Sequence, residues 1–148
     1  MAGSRGVAVE RPSAGWSADI GSIHIEVLGP VRRYASPNDQ SLVLLATVNG
    51  RTVLLPGDIE VIAQQELGPV AADVLKVPHQ GAATSDLEWL LASRAEIAVI
   101  SVGPNTFGHP SEDVVATLEG AGIDVLRTDR DGDVILPLAP VGWPSQAP

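Results

Sequence analysis

Apolar and polar positions alternate along Ser22-Ile-His-Ile-Glu-Val27, which places Ile23, Ile25 and Val27 on one face. The period predicts a half-exposed strand with His24 on its solvated side. After a loop from Gly29 to Asp39, the apolar runs Ser41 to Val48 and Arg51 to Leu55 flank Asn49-Gly50, the strongest short hairpin signal. Ile59, Ile62, Ala63 and Leu67 then fall on a helical stripe, with Glu60 in its first turn and Gly68 at its end. A buried strand, Val74 to Val77, stops at Pro78 and delivers His79 into a small glycine-bearing loop, Gln80 to Thr84.

Ser85-Asp-Leu-Glu88 reads as a capping box opening a helix with Leu87, Leu90 and Leu91 inward. Ala95 to Val102 is a continuous apolar strand, and Gly103 to Pro110 a loop carrying Asn105 and His109. Ser111 caps a further helix, with Glu112 and Asp113 at its positive end, Val114, Val115 and Leu118 as its core face, and Gly120 or Gly122 as its stop. Ile123 to Leu126 is a strand, and Asp131-Gly132 a hairpin turn leading into a last strand, Val134 to Leu138.

Three strands, three helix–strand units and a final strand imply an α/β chain with right-handed crossovers and a mixed, partly parallel sheet. Residues 1–18 read as a flexible lead-in, 19–138 as one partial domain, and 139–148, with three of the 12 prolines, as a disordered tail. At 148 residues one domain is expected. Hydrophobic content of 45% with only 3% aromatic residues gives an aliphatic core. A formal charge of −9 argues against non-specific nucleic-acid binding through phosphate neutralisation. The absence of cysteine removes disulfides, thiolate metal sites and cysteine nucleophiles. No apolar run approaches the roughly 20 residues that span a bilayer, and no signal pattern opens the chain.

The candidate chemistry lies where strands end, because ligands of open α/β sheets collect at the carboxyl ends of their strands. Asp58, after Leu54-Leu-Pro-Gly, is either the N-cap of the following helix or a metal ligand. His79 binds metal as a neutral imidazole or donates a proton as an imidazolium. His109 is a second imidazole after a buried strand, or a plain loop residue. Lys76 interrupts an apolar run, as a snorkelling side chain or as a charge aimed at an anionic substrate. Ser85, beyond its reading as a cap, and Asn105 complete the residues placed at the substrate.

Asn38-Asp-Gln-Ser-Leu-Val-Leu44, Leu54-Leu-Pro-Gly-Asp-Ile-Glu60, Ala72-Asp-Val-Leu-Lys-Val-Pro-His-Gln-Gly81, Ser101-Val-Gly103 with Gly108-His-Pro110, and Arg127-Thr-Asp129 with Gly132 occur in that order. The set, from about Pro12 to Leu138, resembles the C-terminal metallo-β-lactamase-like domain of the ComEC-family competence proteins, the DNA-uptake channel proteins of bacteria. The resemblance implies an αββα sandwich, of which this chain is the C-terminal half. It implies that Asp58 holds metal, zinc or manganese, that His79 is a ligand or acid/base, and that His109 lies near the same pocket. It further implies a soluble domain of a plasma-membrane protein, whose partners are the upstream half of the same domain, the channel, single-stranded DNA or a second copy. Two departures stand out. The family's early His-x-His-x-Asp-His motif is absent, as expected if it lies upstream. The family's His-His-Gly-Ser is His79-Gln80-Gly81-Ala82 here. Three donors at most make one poor mononuclear site, not a two-metal centre for phosphodiester hydrolysis. The chain alone is therefore expected to be inactive, or to be a relic with a docking role, or a fragment of a stand-alone soluble metallo-hydrolase. A half-sandwich is also expected to leave an apolar sheet face bare.

Overall fold

The computed structural model describes residues 11–138, and the expected tail and the first ten residues of the lead-in lie outside them. Seven strands form one sheet in sequential order: β1 (Ser17–Ile20), β2 (Ile23–Gly29), β3 (Val43–Val48), β4 (Arg51–Leu55), β5 (Val74–Lys76), β6 (Ile97–Ile100) and β7 (Asp124–Arg127). The first four strands pair antiparallel and the last four parallel, which gives the mixed sheet. The division follows from the connections. Tight turns join β1 to β2 and β3 to β4, with Asn49 and Gly50 both at positive φ in the latter. The helices α1 (Val61–Leu67), α2 (Leu87–Ala92) and α3 (Glu112–Gly120) are the crossovers that parallel neighbours require.

Register fixes the two faces. Glu26, Leu45, Leu54, Leu75, Ala98 and Val125 form one row across the sheet. Leu54, Leu75 and Ala98 in this row are fully buried and join Ala63 of α1, Trp89 and Leu90 of α2, and Val114 and Leu118 of α3 in one core. The helices therefore flank this face. The other face carries the row Ala18, Ile25, Ala46, Val53, Val74 and Ile97.

Five expectations need correction. β1 begins inside the stretch read as lead-in, because Ala18 pairs with Ile25 across a glycine turn. Ile62 and Leu91 are exposed, since the short helices α1 and α2 bury only Ala63 and Gln64, and Trp89 and Leu90. Asp58 is not a helix cap, for α1 starts later, with Glu60 at the cap position. Ser85 is not the cap of α2. Asp86 takes that place, its Oδ1 accepting from the N–H groups of Glu88 and Trp89 at 3.0 and 3.1 Å, while Ser85 is turned inward.

The fifth correction concerns the last strand. Asp131 ends a short helical turn, α4 (Thr128–Asp131), rather than opening a hairpin, and residues 134–138 do not join the sheet. Their alternation is real but serves another contact. Val134, Leu136 and Leu138 line a groove with Val53, Leu55, Val74, Lys76 and Val99, and the Leu138 carbonyl accepts from Asn49 Nδ2 at 2.9 Å. The segment lies over the helix-free face, which keeps Ile20, Ile23 and Leu55 exposed.

Candidate functional site

The carboxyl ends of β4, β5 and β6 form one rim. After β4 the chain turns at Gly57, which has φ +63°. A Cβ there would sit 2.6 Å from Ser41 Cβ, so only glycine fits. The turn is fixed from outside. The Asp58 N–H donates to Ser41 Oγ at 3.1 Å, and the Glu60 N–H donates to the buried Asp39 carboxylate at 2.8 Å.

β5 runs into Pro78 and then into three successive left-handed residues, His79, Gln80 and Gly81. Non-glycine residues rarely adopt this conformation, and it persists where neighbours over-determine it. Here they do. The His79 N–H donates to the Gly57 carbonyl at 3.2 Å, and the Gly81 carbonyl accepts from Ser111 N–H at 2.8 Å. A Cβ on Gly81 would meet Pro110 at 2.7 Å. These contacts tie the loops after β4, β5 and β6 into one unit.

The side chains at this rim make two groups. Lys76 Nζ lies 3.9 Å from Asp58 Oδ1 and donates to the Gly57 carbonyl at 3.4 Å. Burial pushes the Lys76 ammonium below the ordinary lysine value, against the pull of Asp58, which favours the charged form. In the second group His79 Nδ1, buried and without a well-formed hydrogen bond, faces Glu60 Oε1 at 3.3 Å. Glu60 is itself held by Thr84 Oγ1, which donates to the same oxygen at 2.9 Å. The His79 ring meets His109 edge-on at 5.3 Å, and His109 stacks with Phe107 at 5.9 Å and 24°.

Of the residues singled out in sequence, Asp58, Lys76, His79 and His109 come to this rim. Ser85 is buried and its Oγ has no hydrogen-bond partner among the described residues. The Asn105 amide is spent on its own loop, with Nδ2 donating to the Gly103 and His109 carbonyls and Oδ1 accepting from the Phe107 and His109 N–H groups. Glu60, Thr84 and Phe107 were not legible as site residues. Glu60 reads as an ordinary first-turn acid, and only its distance of two residues from Asp58 hints otherwise.

Among the described residues no group of three or more His, Asp or Glu side chains is placed to hold a metal ion. A catalytic zinc takes three protein ligands and keeps one open position. Asp58, moreover, already faces the Lys76 ammonium. The donor set described here does not fit a complete metal centre.

Comparison with known proteins gives consistent relatives. The chain is 36% identical over 136 residues to ComE operon protein 3 of Bacillus subtilis strain 168, covering 87% of this chain and 18% of that protein. It is 33% identical over 138 residues to competence protein ComA of Neisseria gonorrhoeae, covering 88% and 19%. It is 38% identical over 121 residues to recombination protein 2 of Haemophilus influenzae, covering 76% and 15%. The chain thus spans less than a fifth of the length of each. A crystal structure of a presumed metal-dependent hydrolase from Parabacteroides distasonis superposes with a TM-score of 0.55 at 19% identity, over 85% of this chain and 60% of that one, which establishes a shared fold. No protein-family model matches.

Proposed function

This chain is related to one segment of the ComEC-family competence proteins, and from that relation we propose that it is the C-terminal part of a metal-dependent hydrolase-like domain, a nuclease or phosphodiesterase, of a bacterial DNA-uptake channel protein. The substrate in this reading is a phosphodiester, the DNA strand discarded during uptake. The observation that supports it is that two pairs, Asp58 with Lys76 and His79 with His109, stand at the carboxyl rim of three adjacent strands, on loops joined by the His79 N–H bond to the Gly57 carbonyl. Lys76 offers a partly desolvated ammonium to an anionic phosphate, and Asp58 holds that ammonium in place. His79 is set to pass a proton to the leaving oxygen, with Glu60 facing its other ring nitrogen.

Because the described donors do not complete a metal centre, the remaining ligands belong, in this reading, to the upstream half of the domain. The helix-free sheet face is the surface left for that half. No helix among the described residues is long and apolar enough to cross a membrane, which accords with a domain lying outside the bilayer. A second reading, a catalytically inactive docking domain, is favoured by two observations. Gln80 stands where the family pattern has a second histidine, and an ammonium stands beside the carboxylate expected to meet metal.

One experiment separates the two. This chain is exchanged for the corresponding segment of the Bacillus subtilis relative, and cleavage of an end-labelled single-stranded oligonucleotide is followed. The hydrolase reading expects cleavage by the chimera, none by the 148-residue chain alone, and a loss of about 100-fold or more in Asp58→Ala and His79→Ala chimeras. Cleavage indifferent to both substitutions overturns it, and an inert chimera beside an active parent establishes the docking reading.

A further inference from the structure

We propose that Phe107, stacked on His109, is a platform for a nucleobase of single-stranded DNA held at this rim. The inference rests on the phosphodiester reading and adds the part of the substrate that is gripped besides phosphate.

Phe107 is the chain's single phenylalanine, and 80% of it is exposed, whereas Tyr34 and Trp89 are buried in the core. Leaving an aromatic ring in water forgoes the hydrophobic gain that its burial would bring. The exposure is not that of a loose loop. Asn105 spans the turn with four hydrogen bonds, one of them from the Phe107 N–H at 3.1 Å. The ring is thus displayed from a pinned backbone.

Its neighbours give the display a direction. One ring face lies near-parallel to His109, at 24°, and His109 in turn meets His79 edge-on at 63°. The series runs from solvent to the imidazole proposed to handle the proton. The outer face of Phe107 is open to a flat partner.

Charge favours a base as that partner. A chain with formal charge −9 attracts a polyanion poorly, so affinity for a nucleic acid has to come largely from contacts that are not ionic. Stacking of a base on an aromatic side chain is such a contact, and it tolerates any sequence because every base has a π-face. Bound so, a nucleotide would lie beside the His109–His79 pair.

The test uses the 148-residue chain and three probes: fluorescein-labelled oligothymidylate, an abasic oligonucleotide with the same number of phosphates, and free thymidine. Wild type is expected to bind oligothymidylate about tenfold more tightly than the abasic strand, the scale of one base–aromatic stack. Phe107→Ala is expected to erase that difference without changing abasic binding, and Phe107→Tyr to keep it. Phe107→Ala binding oligothymidylate as wild type does overturns the proposal, as does failure of all three probes to bind. The two readings fail separately. If the abasic strand binds and the base adds nothing, the platform falls and the phosphodiester site stands. If only thymidine binds, shifting the Phe107 ring resonances, the platform stands and the phosphodiester reading falls.

Discussion

Gly81 shows how much at this site depends on single residues. Its left-handed backbone and its contact with Pro110 leave no room for a Cβ. Gly81→Ala is therefore expected to cost about 2 kcal/mol or more in urea denaturation and to shift the His79 and His109 ring resonances together. A stability change near zero would mean that the loops after β5 and β6 are not locked. Sequence alone shows a glycine after His79; it does not show that Pro110, 29 positions on, is what the glycine must admit. The same holds for Glu60 and Thr84. Their types are ordinary for a helix start and a loop, and only the path of the chain brings Glu60 against His79 and Thr84 against Glu60.

At the scale of elements, the start of α2 separates two readings of four residues. With Asp86 as the cap, Asp86→Ala is expected to cost about 1 kcal/mol. Ser85→Ala removes a buried hydroxyl that has no partner among the described residues, and is expected to be near neutral or stabilising. Thermal or urea melts of the two variants decide the matter, and the reverse order of effects would restore the capping box. The β1–β2 hairpin carries a pH-dependent contact of its own. Its hydrogen bond to Asp19, at 2.7 Å, raises the His24 pKa above the ordinary histidine value, with Glu26 adding a smaller pull. A raised folded-state value means that the contribution is whole below about pH 6.5 and is lost as pH rises through the higher folded value. The melting temperature of wild type is expected to exceed that of His24→Gln at pH 5.5 and to match it by pH 9. A difference that persists at high pH would show that the contact is not ionic. The period-2 alternation of β2 and the Asn-Gly turn made this end of the sheet legible. The alternation of Val134 to Leu138 misled for a physical reason. Alternation tells which residues share a face, not whether their backbone finds a ladder partner, and these pack over the sheet instead.

For the whole molecule, the asymmetry between the two faces of the sheet is the governing feature. One face is sealed by three helices, and the other is partly covered by residues 134–138. Leu136 points into that contact, whereas its neighbour Ile135 is 87% exposed. Leu136→Asp is expected to lose about 1 kcal/mol or more and to raise binding of a hydrophobic dye, with Ile135→Asp as the silent control. Equal effects would mean that the segment does not cover the face. The mixed sheet and its helices were readable because strand and helix periods differ, but a site assembled from three loops was readable only as candidates. That assembly is tested most directly by titrating Mn²⁺ into the ¹⁵N-labelled chain and following paramagnetic broadening of its amide signals. Broadening is expected to be weak, to centre on Asp58, His79 and His109 together, and to vanish in Asp58→Ala. Broadening centred on Asp73 and Glu96 at the opposite rim, or unchanged by Asp58→Ala, would contradict the account.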